Sequence, residues 1–454
     1  MFTDITWQDY LASSDKTALL LEAIRRYKAS PQFNRALEAN CYFRGENSAV
    51  GRKTILRARK MEGRDASGRR RIRTGTEDVV GNRIASAFLY RFVTQQNQFL
   101  LSEGVSLPTE CKAALGADFD HQLERLGEAA LLHGCAWGFW NADHIEVIEA
   151  AKNAYTGFFP LLDEMTGAVM LGVQFWQIAP DRPMYIRVFE EDGVRILRQD
   201  RSGLNIAAKK ELYRRTCVTD ALETTVIEEA GYGRLPLIPL FANTEAASEF
   251  TPAIKAKIDA YDAILSDFAD NLERANDVYW VLNNFGGTMD EVAELLEQIN
   301  RVKAVANLSD GSGNSATAEP RTIEVPYAAR REALSLLERA LYQDYMALNM
   351  DALTGGSLTN VAIRAAAADL NLKADRYEWQ LRRFVQELLT LIGHPTEDIR
   401  FNRQTIANDS EVVADIYRMR GDIDQRTALR LNPYIQEEEI DALLSAGEPP
   451  VSNS

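Results

Sequence analysis

The sequence predicts an α+β protein, mainly helical, and three observations carry that prediction. Helix signals recur in both the N- and C-terminal thirds: a capping residue followed by proline, or long apolar runs at steps of three and four. Between Gly134 and Pro239 the pattern changes to short runs of β-formers punctuated by glycine turns. The length of 454 residues exceeds what one hydrophobic core holds and implies two to four domains. With 46% hydrophobic and 26% charged residues, the chain is an ordinary globular one. That composition excludes collagen-like repeats, extended disorder and small disulfide-stapled scaffolds.

The first 150 residues read mostly as helix. Ser30-Pro31 pairs an N-cap with proline at the first helical position. Asp78 to Gln98 is amphipathic, with Val79, Ile84, Phe88, Phe92 and Val93 near one face. Upstream of it, Arg52 to Arg73 holds ten basic residues against Glu62 and Asp65. Gly63, Ser67 and Gly68 favour a solvated loop there, and a contact for an anionic partner is the other reading. In the β-rich module, Val169–Trp176 and Tyr185–Phe189 read as strands, with turns at Thr166-Gly167, Asp192-Gly193 and Gly231-Tyr232-Gly233. Leu235 to Leu240 is extended, since Pro236 and Pro239 disfavour helix at the residues before them.

Thr251-Pro252 repeats the cap-and-proline signal. On the following helix Ile254, Ile258, Tyr261, Leu265, Phe268 and Leu272 share one side. Asp259, Asp262, Asp270, Glu273 and Asp277 fall within about an 80° arc on the other, at roughly 100° per residue, which reads as a solvated acidic stripe. Val278–Leu282 is expected as a strand, Thr288 and Glu291 as a capping box for a short helix, and 301–307 and 321–325 as strands around the glycine turn at Gly311. Tyr327 to Leu348 resumes helix. The segment from Asn349 to Asn360 is a polar loop with one charge, Asp351, and no basic residue. One helix of roughly 48 Å is then expected from 361 to 392, ended by Gly393 and Pro395. The remainder is helical, with Asp409-Ser410 and Glu437 at helix starts, up to a disordered tail from Glu448.

Charge is unevenly placed. The chain carries 51 basic and 66 acidic residues, net −15, but residues 1–100 hold 18 basic and 10 acidic. The acidic remainder argues against tight binding of nucleic acid by bulk attraction. No catalytic constellation stands out. The four histidines make no HxH or HExxH spacing. Gly45 to Thr54 departs from a phosphate loop by one residue too many between its glycines and by lacking a preceding strand. There is no GxSxG, and acid pairs cannot be chosen by spacing alone. No enzyme, cofactor or metal site is therefore expected. Cys41, Cys111, Cys135 and Cys217 are scattered and read as reduced thiols. The N-terminus shows no signal-peptide pattern, and the longest apolar run, Ala129–Trp140, is too short to span a bilayer.

The run Gly233-Arg-Leu-Pro-Leu-Ile-Pro-Leu-Phe-Ala-Asn243, followed by Ile258-Asp-Ala-Tyr-Asp-Ala-Ile-Leu-Ser-Asp267, resembles the portal proteins of tailed double-stranded DNA bacteriophages, of the long-tailed siphophage type. Tyr42-Phe-Arg-Gly45, Asn82-Arg-Ile84, Gly134-Cys-Ala-Trp-Gly138, Ile406-Ala-Asn-Asp-Ser-Glu411 and Asn432-Pro433 are similar to the family pattern in the same order. The likeness covers residues 20–445.

The resemblance implies a portal fold with wing, stem, clip and crown, assembled as a dodecameric ring around a central channel at one capsid vertex of the virion, formed in the host cytoplasm. Residues 1–250 would be the wing, 251–277 and 328–348 the stem helices, and 278–327 the clip. Residues 349–360 would be the tunnel loop, 361–404 a long helix and its return to the wing, and 405–454 the crown and tail. The implied partners are other copies of the chain, double-stranded DNA passing without sequence preference, terminase, a head-completion or tail adaptor, and scaffold and major capsid proteins, with no membrane. The stripe Asp259, Asp262, Asp270, Glu273 and Asp277 would line the channel or sit on the outer stem surface. Met350, Asp351, Leu353, Thr354, Gly355, Gly356, Ser357, Leu358, Thr359 and Asn360 would face DNA. Asn307, Asp310, Gly311 and Asn314 would mark clip docking. Family members often kink the long helix; this one lacks glycine and proline, and Asn371 is the one weak candidate. Another ring-forming head–tail connector and a hydrolase with dispersed acids are the alternative readings.

Overall fold

A computed structural model describes residues 3–51, 54–64, 70–200, 203–220, 223–275, 279–283, 317–321, 327–350, 359–403, 409–419, 421–435 and 437–446. The chain divides into two units. The first contains Met1–Asn40, Leu89–Thr251 and Tyr342–Ser454, and the second Cys41–Phe88 and Pro252–Leu341.

In the first unit the β-rich module is as the turn signals predict. An antiparallel sheet runs in the order Gly203–Leu212, Gly193–Asp200, Met184–Phe189, Val169–Gln177, Thr156–Leu162, Ala151–Asn153. Tyr27 and Phe33, from the helices Lys16–Ala29 and Pro31–Phe43, pack on Phe159 and Phe175 of this sheet; the Tyr27 and Phe159 ring centroids are 4.9 Å apart. A second sheet orders Leu237–Phe241, Cys135–Asn141 and His144–Glu149. Pro239 sits in its edge strand, the position where a residue without an N–H is tolerated.

Gly134 ends the helix Phe119–His133 with φ +87°, and a Cβ there would lie 2.3 Å from the Ala246 carbonyl oxygen. Glycine is required at this point for both reasons. Gly134→Ala is expected to cost about 1–3 kcal/mol, read as a lowered urea midpoint.

Three expectations change on folding. The described part of the basic stretch 52–73 is strand instead of loop: Thr54–Arg64 pairs antiparallel with Arg70–Val80, in register from Thr54↔Val80 to Arg64↔Arg70. The β-branched residues Ile72, Thr74, Thr76, Val79 and Val80 favour strand over helix here. Consequently the next helix begins at Phe88, not near Asp78. The strand Tyr279–Asn283 is present and pairs antiparallel with Thr317–Arg321, which begins before the strand expected at 321–325; residues 322–326 lie outside the described residues. Residues 284–316, with the expected capping box and glycine turn, lie outside the described residues.

The long helix is interrupted. Asn360–Ala366 and Ala368–Leu391 are separate helices meeting at Ala367, whose φ −85°, ψ 0° stay right-handed but lie off the regular helical values. The Asn371 side-chain amide donates to the Ala367 carbonyl at 3.0 Å, alongside the Asn371 N–H at 2.9 Å. Such back-bonding from a short polar side chain bends helices. Gly393 closes the second helix with φ +86°, as its position predicts. Among the described residues no helix is long and apolar enough to cross a membrane.

Candidate functional site

The helix Pro252–Ala275 belongs to the second unit. Its buried line is Ile254, Ile258, Asp262, Ser266 and Asp270, a row of steps of four. The two apolar members come first and the three polar ones follow. Against the polar half lies the extended segment 81–87, whose N–H groups have no sheet to join and need acceptors.

The helix supplies them in order. Asp270 Oδ1 accepts from the Asn82 backbone N–H at 2.7 Å and from Asn82 Nδ2 at 2.9 Å. Ser266 Oγ accepts from the Ile84 N–H at 3.0 Å. Asp262 Oδ1 accepts from the Ser86 N–H at 2.9 Å, and its Oδ2 from Asn47 Nδ2, which also donates to the Ser86 carbonyl at 3.1 Å. The spacings match: four helical residues rise about 6 Å and two extended residues about 6.6 Å. The helix therefore works as one side of a ladder.

Asp259 takes the Tyr42 hydroxyl on one oxygen and Lys255 Nζ at 2.6 Å on the other. Burial raises the pKa of the Asp262 carboxyl; the bonds from Asn47 and Ser86 oppose that shift, and neighbouring Asp259 adds to it.

This corrects the acidic-stripe expectation for three residues. Asp262 is 0% and Asp270 5% exposed, and Asp259 is half-buried in its own network, so these carboxylates satisfy backbone and side-chain donors inside the unit and do not form a solvated stripe. Glu273 lies in the last turn of the helix, and Asp277 falls outside the described residues. Among the described residues no group of His, Cys, Asp and Glu is placed to hold a metal ion.

The second cluster lies in the first unit and frames the segment 349–360. On its N-terminal side, Gln95 brackets Leu348 with two bonds, N–H to Oε1 at 2.9 Å and Nε2 to the carbonyl at 3.0 Å. Tyr345 donates its hydroxyl to Gln96 at 2.9 Å and stacks on Phe92 at 4.6 Å. The helix ends in a Schellman pattern, with the Ala347 N–H on the Tyr342 carbonyl at 2.9 Å and the Met346 N–H on the Gln343 carbonyl at 3.1 Å.

Lys373 Nζ reaches the Tyr345 carbonyl at 2.7 Å and Glu249 at 2.8 Å, and both side chains of this ion pair are under 20% exposed. Burial lowers the Lys373 pKa more than Glu249 restores it. On the C-terminal side, Thr359 caps the helix Asn360–Ala366 through the Ala362 N–H at 3.3 Å, and the Asn360 N–H donates to Glu411. Met350 is 57% exposed. Asp351, Leu353, Thr354, Gly355, Gly356, Ser357 and Leu358 lie outside the described residues, as do Asn307, Asp310, Gly311 and Asn314.

Neither cluster pairs a nucleophile with a base or gathers convergent acids around a cavity. What they share is the fixing of backbone, and the comparison with known proteins agrees with that character. The family described as "Phage portal protein, SPP1 Gp6-like" matches residues 27–448. The chain belongs to this family.

It is 24% identical to the portal protein of Clostridium phage phiCD119 over 241 residues, 52% of this chain and 52% of that one. It is 28% identical to the portal protein of Bacillus phage SPP1 over 225 residues, 46% of this chain and 43% of that one. The match thus spans about half the length of these curated relatives.

Some of the motifs that carried the resemblance meet within each unit. Tyr42 and Asn82–Ile84 contact the helix bearing Asp259, Asp262 and Ser266. The strand from Leu237 pairs with Cys135–Asn141. Sequence reasoning missed Asn47, Ser86, Gln95, Glu249 and Lys373. Only their polarity marked them, and nothing in the sequence says which carboxylate a distant N–H will find.

Proposed function

We propose that twelve copies of this chain form a portal ring at one capsid vertex of a tailed phage, through which double-stranded DNA is packaged and later ejected. The observation that carries this reading is the family match over residues 27–448. In it, 1–250 contribute the wing, 251–277 and 328–348 the stem, 278–327 the clip, 361–404 the long helix and its return, and 405–454 the crown. The clip would dock terminase and then a head-completion adaptor, and the outer surface would meet scaffold and capsid protein.

The chemistry of the segment 349–360 supports a DNA-facing loop. Its one charge is Asp351 and it has no lysine or arginine, so passing phosphates find only weak, exchangeable contacts. The bonds of Gln95, Lys373 and Glu411 on either side hold its ends. The channel-lining role is kept for this loop and for Glu273 and Asp277, and it is given up for Asp259, Asp262 and Asp270. No chemical step is assigned to the chain; its role is structural.

Averaged electron-microscope images of the purified protein test the ring, and a monomer or dimer at every concentration overturns it. Thr354→Lys or Ser357→Lys is expected to slow DNA packaging at least tenfold, since each new lysine–phosphate pair must be broken at every step. Unchanged packaging removes the loop from the channel.

A further inference from the structure

The helix Phe119–His133 ends on a buried clamp that the portal reading leaves unused. Asn40, on the helix Pro31–Phe43, donates Nδ2 to the Ala151 carbonyl at 2.6 Å and to the Lys152 carbonyl at 3.4 Å. Both neighbours can only accept, so the amide nitrogen faces them and Oδ1 faces the other way. There it meets His133 Nε2 at 2.8 Å. An amide oxygen has no proton to give, so Nε2 holds the ring proton and Nδ1 is the bare nitrogen of a neutral imidazole. Asn40, His133, Ala151 and Lys152 all belong to the first unit.

The clamp has no place for a second proton. Asn40 is 7% and His133 4% exposed, and Nδ1 is buried without a hydrogen-bond partner among the described residues. A proton on Nδ1 would create a buried cation whose new donor has no acceptor. A histidine in the last turn of a helix is ordinarily helped by the free carbonyls of that turn. Here they are taken. Ala130 accepts from the Gly134 N–H at 2.7 Å, Leu131 from the Glu249 N–H at 2.9 Å and Leu132 from the Ser248 hydroxyl at 2.6 Å.

Charge offers no compensation either. Burial is the one cause that moves the His133 pKa, down to about 4. The charged residues close in sequence to the clamp on the elements around it are Arg35, Glu38, Glu128, Lys152 and Glu249, and none of them contributes to that shift. The buried Cys135 thiol and Tyr27 hydroxyl are both pushed up by burial and stay neutral.

We propose that the Asn40–His133 pair is an acid-operated release: protonation of His133 opens the clamp and frees the end of the helix Pro31–Phe43 from the strand Ala151–Asn153. The proton passes from solvent to Nδ1, and the resulting cation gains hydration by leaving Asn40. The folded-state pKa lies below the ordinary histidine value, so the contribution of the clamp is complete above about pH 6.5 and is lost as pH falls towards about 4. The device does not depend on the ring reading and acts in a single copy of the chain.

Hydrogen exchange of the full-length protein, read by mass spectrometry from pH 7 to pH 4 and corrected for the intrinsic pH dependence of amide exchange, tests it. Protection of residues 36–43 is expected to fall on the order of a hundredfold over that range. Between about pH 6 and 4.5 the fall is expected to approach about tenfold per pH unit, the slope of one proton taken up per opening. Residues 374–388, inside the helix Ala368–Leu391, are expected to keep their protection. His133→Gln retains a donor towards Asn40 and takes up no proton, so its protection of 36–43 is expected to change less than about threefold.

Equal acid loosening of 36–43 in the wild type and in His133→Gln overturns the proposal, and so does a flat wild-type profile. Protection lost together from 36–43 and 374–388 overturns it as well, because the event is then general unfolding. If the glutamine variant does not fold, the one-proton slope of the wild type and its confinement to 36–43 decide the matter.

Discussion

Lys373→Ala is expected to destabilise the protein by about 2–4 kcal/mol, the cost of leaving a largely buried carboxylate without its counter-charge. The stranded group is Glu249, whose partner at 2.8 Å disappears, and the Tyr345 carbonyl loses its donor as well. The ammonium also sits 3.2 Å from the Tyr345 ring centroid, so the substitution loosens the end of the helix that leads into the 349–360 segment. Urea denaturation followed by tryptophan fluorescence measures the loss. The double variant Lys373→Met with Glu249→Gln is expected to recover to within about 1–2 kcal/mol of wild type, because removing both charges removes the desolvation problem. A single variant that costs under about 1 kcal/mol would mean that the pair is solvated.

Asp262→Ala is expected to cost about 2–4 kcal/mol, since the Ser86 N–H and the Asn47 amide both lose their acceptor in a buried site. Asp262→Asn keeps one acceptor oxygen and should cost less than half as much. The pH dependence follows from the raised pKa of this carboxyl. A folded-state pKa above the unfolded one means that the folded protein holds the proton more tightly. The resulting contribution is complete below the ordinary aspartate value and is lost as pH rises through the raised one. The urea midpoint of the wild type minus that of Asp262→Asn is therefore expected to fall as pH rises above the ordinary aspartate range. A flat difference would show an unperturbed carboxyl.

Much of the fold was legible. Ser30-Pro31 and Thr251-Pro252 place helix starts within a residue, and Gly134, Gly167 and Gly393 take up the positive φ that their turn positions demand. These are local signals, set by the covalent limits of proline and glycine.

The candidate site was misread where a helical wheel assumes a fixed buried face. Along Pro252–Ala275 the buried row advances in steps of four, drifting about 40° per step, so the partner segment crosses from the apolar side onto the carboxylates. Asp262 and Asp270 look solvated on the wheel and are buried in the fold. The ribbon was misread for a related reason: Gly63, Ser67 and Gly68 are turn-favouring residues, and the loop reading extended their signal over the strands Thr54–Arg64 and Arg70–Val80.

The sequence alone established a mainly helical α+β chain with a β-rich middle, the acidic balance beyond residue 100, the absence of a recognisable catalytic motif and, through the order of its motifs, the portal family. These follow from residue chemistry and near-neighbour geometry. The tertiary structure alone settled which carboxylates are buried, where the long helix breaks and what frames the 349–360 segment. Those outcomes depend on pairings such as Asn82 with Asp270, 188 residues apart. An N–H or a carboxylate binds whichever partner the chain path brings near, and the sequence around it holds no record of that partner.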